Sequence, residues 1–406
     1  MRGTGDWGTD ERPKNFREFI LWADPNGSAP LTALLSKMKK ESTDDPEFAW
    51  FEEELKAIRV KNTAGTLPAN VASTTLELDA TTAGGLNLVA GDILMVEKTE
   101  TATYDNEILL VSSVTNDTTV IVKRAQSGSS VATIGSGAFL TKIGSAYEEG
   151  TGAPAASTRN PTKFKNFTQI FKTTVDMTNT AKATRLRTGD SWANDKKRKA
   201  FDHAVMMEFA FMFGQAFEET GPGGKPRRFT GGLRDLLTTN LPSGLTVSDT
   251  AKIYTTTPTE EDFLDTIHSV FDFNAGGAGS QRLVFAGNGA LNTLNKIRLA
   301  SASTQIVYDG VIKFFGMSLQ RWITPQGEFF FRTHPLMNTH GKFKDSMFII
   351  NPAGIRYRPL KDRDTKFEDN IQNNDEDRRK GQWKTEAGLE INHVRTFKYI
   401  GNFTKP

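Results

Sequence analysis

The stretch best suited to chemistry is Arg282–Leu291, RLVFAGNGAL. There an apolar, β-type run enters Gly287-Asn288-Gly289 and then a helical pattern, the order of parts in a dinucleotide site. Glycines in such a turn let the backbone approach a pyrophosphate, and the helix N-terminus offers it free N–H groups. Asn292 stands where the third glycine of that pattern belongs. A tight turn between strand and helix also wants glycine for its geometry alone. Nucleotide binding by an α/β enzyme is one reading, and a plain βα turn is the other.

Other candidate groups are scattered. His203, His268, His334, His340 and His393 show neither the i, i+4 helical spacing nor the supporting carboxylates of a metal site. No GxSxG nucleophile elbow or GxxxxGK[ST] phosphate loop occurs. Acidic runs such as Glu260-Glu261 and Glu52-Glu53-Glu54 are what any charged chain carries, and nothing places two carboxylates across a cleft. No catalytic residue, cofactor or metal is expected. The basic residues Lys182, Arg185, Arg187 and Lys196-Lys197-Arg198-Lys199 form the strongest charge bias. Four successive residues fan around a helix, so they read either as a solvated first turn or as a patch facing phosphates or an acidic neighbour such as Glu52–Glu54.

The elements that position these residues come from a chain of 406 residues, 37% hydrophobic, long enough for two or three domains or for one domain with large insertions. Fifty Lys plus Arg against 48 Asp plus Glu leave a charge of +2, so no global field draws the chain to nucleic acid or membrane. Zero cysteines exclude disulfides and thiolate chemistry. The first residues lack an apolar signal core. The longest apolar run, Ala204 to Phe213, contains Glu208 and falls short of the ~20 residues that span a bilayer. A soluble protein made in the cytoplasm is expected.

The chain is organised around Asp190–Glu219, read as one helix. Asp190 or Ser191 caps it, and Phe201, Val205, Phe209, Met212 and Ala216 make an apolar stripe. At ~1.5 Å per residue such a rod is on the order of 40 Å long. Residues 1–65 read as an arm with short helices at Leu31–Met38 and Pro46–Ile58. Its Phe16, Phe19, Ile20, Leu21 and Trp22 need another surface to cover them. From Thr66 to Ile143, Thr, Ser, Val and Gly dominate, with β-type runs at Thr74–Leu78, Asp92–Glu97, Glu107–Val114, Thr118–Arg124 and Ala138–Ile143. This predicts a small all-β module, and Gly150–Pro161 a flexible return.

Strand signals follow at Asn166–Thr178, and Thr220–Gly232 reads as a hinge-like loop. Beyond it the pattern predicts helices over Glu260–Phe273 and Gly289–Leu299, and strands at Arg282–Ala286, Gly310–Phe315, Phe329–Arg332 and Met347–Ile350. Pro359–Gly381 is charged, and Gln382–Phe403 closes with a β-type return.

The order of these parts resembles the major capsid proteins of tailed bacteriophages, whose Hong Kong 97-type fold is shared with encapsulins. The stretches that carry the resemblance are Leu31–Leu35, Asp45–Trp50, Gly91–Leu94, Asn166–Phe171, Glu208–Gly214, Phe229–Leu233 and Thr385–Ile391, in that order and over nearly the whole chain. They look like the branch with a β-rich insertion in its extension loop. The resemblance implies an α+β phage capsid fold with an N-terminal arm (1–65), an extension loop with a β-rich insertion (66–165), a peripheral domain (166–232) holding the spine helix at about 190–219, an axial domain (233–350) and a C-terminal return to the peripheral domain (351–406).

It also implies hexamers and pentamers in an icosahedral shell around double-stranded DNA, contacted non-specifically. Portal, scaffold and decoration proteins would be further partners, and no membrane is involved. An encapsulin-like compartment is the alternative within the same fold. Phe48, Trp50 and Phe51 would anchor the arm between subunits, because a thin subunit leaves Phe19, Trp22, Trp50 and Phe51 uncovered within one chain. Lys196–Lys199 would face DNA or a neighbour. No residue matches the Lys–Asn crosslink of some members.

Overall fold

The computed structural model describes residues 31, 32, 35, 40–53, 59–63, 65–79, 88–97, 107–116, 118–154, 156, 161–184, 190–241, 245–273, 280–300, 308–314 and 317–404. The expected anchors Phe16, Phe19, Ile20, Leu21 and Trp22, and the basic Arg185 and Arg187, lie outside them. The chain divides into two compact units. One comprises Trp50–Phe164 with Pro242–Thr246, and the other the remainder.

The smaller unit begins at Trp50, ahead of the composition change at Thr66. The strands in this part of the chain are β1 (Glu47–Glu52), β2 (Arg59–Lys61), β3 (Thr75–Glu77), β4 (Asp92–Glu97), β5 (Ile108–Val114), β6 (Thr119–Gln126), β7 (Phe139–Ser145) and β8 (Thr162–Phe167). All five strands expected between Thr74 and Ile143 are present. The helix expected over Pro46–Ile58 is not: Glu47–Glu52 is a strand that pairs with β8. The spacing of Phe48, Phe51 and Leu55 imitates a helical stripe, but burial there alternates with period two, burying Phe48, Trp50 and Glu52.

The remaining strands form a six-stranded sheet in the order β2-β7-β4-β5-β6-β3. Its two edges meet at a bridge between Asn62 and Leu78, where Thr63 N–H donates to Glu77 O (2.9 Å) and Asp79 N–H to Lys61 O (2.9 Å). The sheet therefore closes on itself, which removes the exposed edges that invite aggregation. Its interior is aliphatic, with Leu76, Leu94, Val96, Leu109, Val111, Val120, Val122 and Leu140 among the buried residues.

One ion pair is sealed into this barrel. Arg124 meets Glu107 through two bonds, 2.6 and 2.7 Å, and both side chains are fully buried. Glu107 also accepts from the N–H groups of Ala132 and Ala125. Burial alone would raise its carboxyl, but the Arg124 and backbone donors together hold it below the usual carboxylate range.

The larger unit holds β9 (Gln169–Thr178), β10 (Phe217–Thr220), β11 (Pro226–Phe229), β12 (Ala251–Ile253), β13 (Gln281–Ala286), β14 (Tyr308–Phe314), β15 (Met317–Ile323), β16 (Glu328–Thr333), β17 (Met347–Ile350), β18 (Ile355–Pro359), β19 (Lys366–Glu368), β20 (Arg378–Ile391) and β21 (Lys398–Gly401). A mixed seven-stranded sheet runs β12-β21-β17-β13-β16-β15-β14. Its central strands β13 and β17 are nearly continuous apolar runs because both faces are covered. Helices Glu260–His268, opened by a Thr259–Asp262 capping box, and Asn288–Ala300 help cover them. The helical signal up to Phe273 ends instead in a 3-10 turn, Ser269–Phe271. The C-terminal return is split: β20 pairs with β9, β18 and β19, whereas β21 inserts between β12 and β17 of the seven-stranded sheet.

The long helix spans Ser191–Phe213, 23 residues and on the order of 35 Å, shorter than the expected 190–219. Asp190 caps its start by accepting from the N–H groups of Trp192 and Ala193. It stops at Gly214 because Gly232 crosses there: Gly232 N–H donates to Gly214 O (2.9 Å), and a Cβ on either glycine would strike backbone. Phe217–Thr220 is β10. The presumed hinge at Thr220–Gly232 is the turn and second strand of the β10–β11 hairpin, held by Glu219–Arg227 (2.7 Å) and Glu218–Arg228 (2.5 Å). The helix's buried face is His203, Met207 and Phe211 with Glu208 and Met212. The expected stripe residues Phe201, Val205 and Phe209 are only half-buried.

Breaking the sealed ion pair tests this description. Glu107→Ala leaves the Arg124 guanidinium buried without its partner and is expected to destabilise the barrel by about 3–5 kcal/mol, read as faster amide exchange in β4–β7. In the unaltered chain the Glu107 pKa is lowered on folding. Its stabilisation is therefore full above the unfolded carboxyl value of about 4.3 and is lost as pH falls below it, so protection of the same amides should drop on acidification.

Candidate assembly interface

On β1 the backbone alternation sorts the three expected anchors. Phe48 is buried against Gly388, where an added Cβ would lie 2.6 Å from its ring, and Arg358 sits 5.8 Å from the ring centroid. Trp50 stacks on Phe164 at 5.6 Å and donates its indole N–H to Glu52 (2.9 Å). Both rings are thus covered by their own chain. This corrects the expectation that Trp50 needs a neighbour, and β8 is the reason. Phe51 points the other way and is 65% exposed. Fully burying such a ring is worth about 1.5–3 kcal/mol, so of the three expected anchors Phe51 is the one with apolar surface left to bury.

The basic run on the long helix fans out. Lys196 lies 4.0 Å from the Phe367 ring centroid, and its carbonyl accepts from the Trp383 indole. Lys199 pairs with Asp202 at 3.2 Å. Arg198 and Lys199 line a hollow that also holds Asp176, Asp195 and Asp202. Lys197 alone of the four is exposed. Glu52 is buried beneath Trp50, and Glu54 lies outside the described residues, which leaves Glu53 as the exposed member of that acidic run.

The glycine turn after β13 is closed. A Cβ at Gly287 would collide with the Lys344 carbonyl, and one at Gly289 with the Asp345 carboxyl, whose pKa burial raises. The space a pyrophosphate would need is filled by the chain's own 343–345 turn, so the nucleotide reading falls. The histidines are likewise in use or apart. His203 is held between the Thr173 hydroxyl (3.0 Å) and the Thr385 hydroxyl (2.8 Å), and burial lowers its pKa. His334 is buried against Glu208, His340 stacks on Phe343 at 4.2 Å, and no metal-holding group of three or more His, Asp or Glu exists among the described residues.

Two features escaped the sequence reading. The first is an open groove of about 880 Å³ at the C-terminal end of the long helix, lined by Phe209, Phe213, Phe217, Phe229, His340 and Phe343. Phe213 and Phe343 stack at 4.0 Å, while Phe217 is 57% exposed. The signal was legible: Phe-Glu-Glu-Thr and Pro-Arg-Arg-Phe flank a glycine-rich turn with charges that match in antiparallel register. The second is Glu208, whose carboxylate accepts from Leu31 N–H (2.7 Å), Thr32 N–H (2.6 Å) and the Thr32 hydroxyl (2.8 Å), with His334 Nε2 at 2.7 Å. A lone acid inside an apolar helical run marked it.

The sequence profile of the SU10 major capsid proteins matches residues 3–403. The chain belongs to the SU10 major capsid protein family. Over 359 residues it is 26% identical to the major capsid protein of Pseudomonas phage PaMx41, covering 87% of this chain and 80% of that one. Among solved structures, a chain of the Myoviridae phage XM1 capsid aligns with a TM-score of 0.44 at 8% identity, covering 96% of both chains. One from Microbacterium phage Oxtober96 aligns with a TM-score of 0.44 at 10% identity, covering 96% of this chain and 95% of that one. No helix among the described residues is long and apolar enough to cross a membrane.

Within this family member, Trp50 and Phe51 separate folding from assembly. Trp50→Ala should lower the stability of the unassembled chain by about 3–5 kcal/mol, whereas Phe51→Ala should stay within about 0.5 kcal/mol. Urea denaturation of the two purified variants reads the contrast.

Proposed function

We propose that the chain assembles in rings of six and five copies into a closed icosahedral shell around double-stranded DNA. The observation that carries this reading is the match of the major capsid family across residues 3–403. The physical requirements are consistent with it. A closed lattice engages many copies at once, so modest contacts suffice. The near-neutral charge of +2 neither glues the shell to its genome nor drives its copies apart.

In this reading the fold is of the Hong Kong 97 type. The β2–β7 barrel is the insertion of an extension loop whose base is the β1–β8 ribbon. The long helix with β9 and β20 is the peripheral domain, and the seven-stranded sheet the axial one. Phe51 is the interface anchor, with Phe48 and Trp50 bracing the strand that presents it. Lys197 offers its charge to packaged DNA or to a neighbour. Portal, scaffold and decoration proteins complete the partners, and synthesis takes place in the host cytoplasm before incorporation into the virion.

The test is to express the chain with and without a scaffold and image the heaviest fraction by electron microscopy. Shells, tubes or capsomers are expected. A stable 44.8 kDa monomer under both conditions would overturn the reading. Phe51→Asp should cut particle yield at least ~10-fold, since losing about 1.4 kcal/mol per contact already shifts each association tenfold.

A further inference from the structure

We propose that Phe51 of one copy seats in the aromatic groove of a neighbouring copy, against Phe209, Phe213 and Phe217. The proposal rests on the shell reading and names a contact that reading leaves open.

The knob and the socket suit each other chemically. Phe51 stands 65% exposed on a strand whose other outward residues are Glu47 and Ala49, with the exposed Glu53 just past its end. The groove presents rings already in mutual contact, with Phe209 and Phe213 at 6.4 Å and Phe213 stacked on Phe343. A further ring entering such a set meets faces and edges at the separations aromatic pairs favour. At about 880 Å³ the groove has room for it and for its flanking backbone.

The strands around both features are incomplete in the same way. β1–β8 and β10–β11 are each two-stranded sheets, and such a sheet is marginal in water on its own. Charge favours one edge of the ribbon over the other. β1 carries the outward Glu47, 3.6 Å from Lys165 of β8, and is followed by the exposed Glu53, whereas β8 carries Lys163 and Lys165. In the hairpin Arg227 and Arg228 pair with Glu219 and Glu218, which leaves Lys225 of its turn as the surplus positive charge. The edge that bears Phe51 and Glu53 is therefore the one the hairpin attracts.

A second copy is favoured over a foreign partner because knob and socket are different patches of one chain. That is a heterologous contact, the kind that generates rings, whereas a self-matching patch stops at two copies.

The absence of native cysteine makes the test clean. Phe51→Cys and Phe217→Cys single variants are mixed, assembled and treated with a short bis-maleimide, since two touching rings leave their Cβ atoms farther apart than the roughly 3.5–4.5 Å a disulfide spans. A covalent dimer should appear on a denaturing gel only in the assembled fraction. Neither single variant alone, nor Val71→Cys mixed with Phe217→Cys, should give it. Normal particles without the dimer would overturn this contact and leave the shell reading intact. Failure of the unaltered chain to form particles would remove both.

Should a cysteine variant not assemble, the photo-reactive residue benzoylphenylalanine at position 51 keeps the aromatic ring, and mass spectrometry locates its partner in the particle. A crosslink within residues 209–229 or at Phe343 supports the proposal. One to residues 1–30, or to a scaffold, overturns it.

Discussion

The buried carboxylate of Glu208 holds the larger unit together. It lies inside the long helix, fully shielded from water, and its two oxygens gather four donors: two N–H groups and a hydroxyl from Leu31 and Thr32, and His334 beyond the end of β16. An acid in that place without partners would be far costlier than any apolar residue, so the arm, the helix and the sheet must all be in position for it to be satisfied. Charge-assisted bonds of this kind are short and directional. They set the register of residues that stand 177 apart in the chain.

A second constraint is close backbone approach at the helix end. Gly214 and Gly232 touch where side chains cannot fit, and Asn166 stitches the crossing. Its amide donates to Gly231 O (3.0 Å) and Leu389 O (2.7 Å), while its oxygen accepts from the N–H groups of Gly231 and Phe167. The hairpin then leaves the helix in a fixed direction, and the aromatic groove is the hollow beside it. Folding and the candidate interface therefore share the same few residues. The helix must stop at Gly214 for Phe217 to stand at the groove's rim.

The chemistry that looked most promising in the sequence was used up inside the fold. The glycines after β13 make room for Lys344 and Asp345 rather than for a phosphate. The lysines of the long helix divide among a ring, an aspartate and solvent. Spacing within a chain reports which groups can meet, but the partners that occupy them come from distant segments.

Runs of β-branched and aliphatic residues at Thr74–Leu78, Asp92–Glu97, Glu107–Val114, Thr118–Arg124 and Ala138–Ile143, separated by turn residues, were sufficient to mark the barrel's strands, because such side chains fit a pleated, half-buried surface. The apolar runs of β13 and β17, the Asp190 cap and the ordered capsid-like stretches were equally local and equally legible. Local signals failed where two periods fit the same residues. Phe48, Trp50 and Phe51 satisfy a helix or a strand, and only pairing with β8 chose the strand, burying two rings and leaving the third outside. The end of the long helix, the closure of the barrel and the split of β20 from β21 between two sheets were likewise settled by tertiary structure. Each depends on backbone groups finding partners across the chain, and side-chain pattern carries no record of which partner that is.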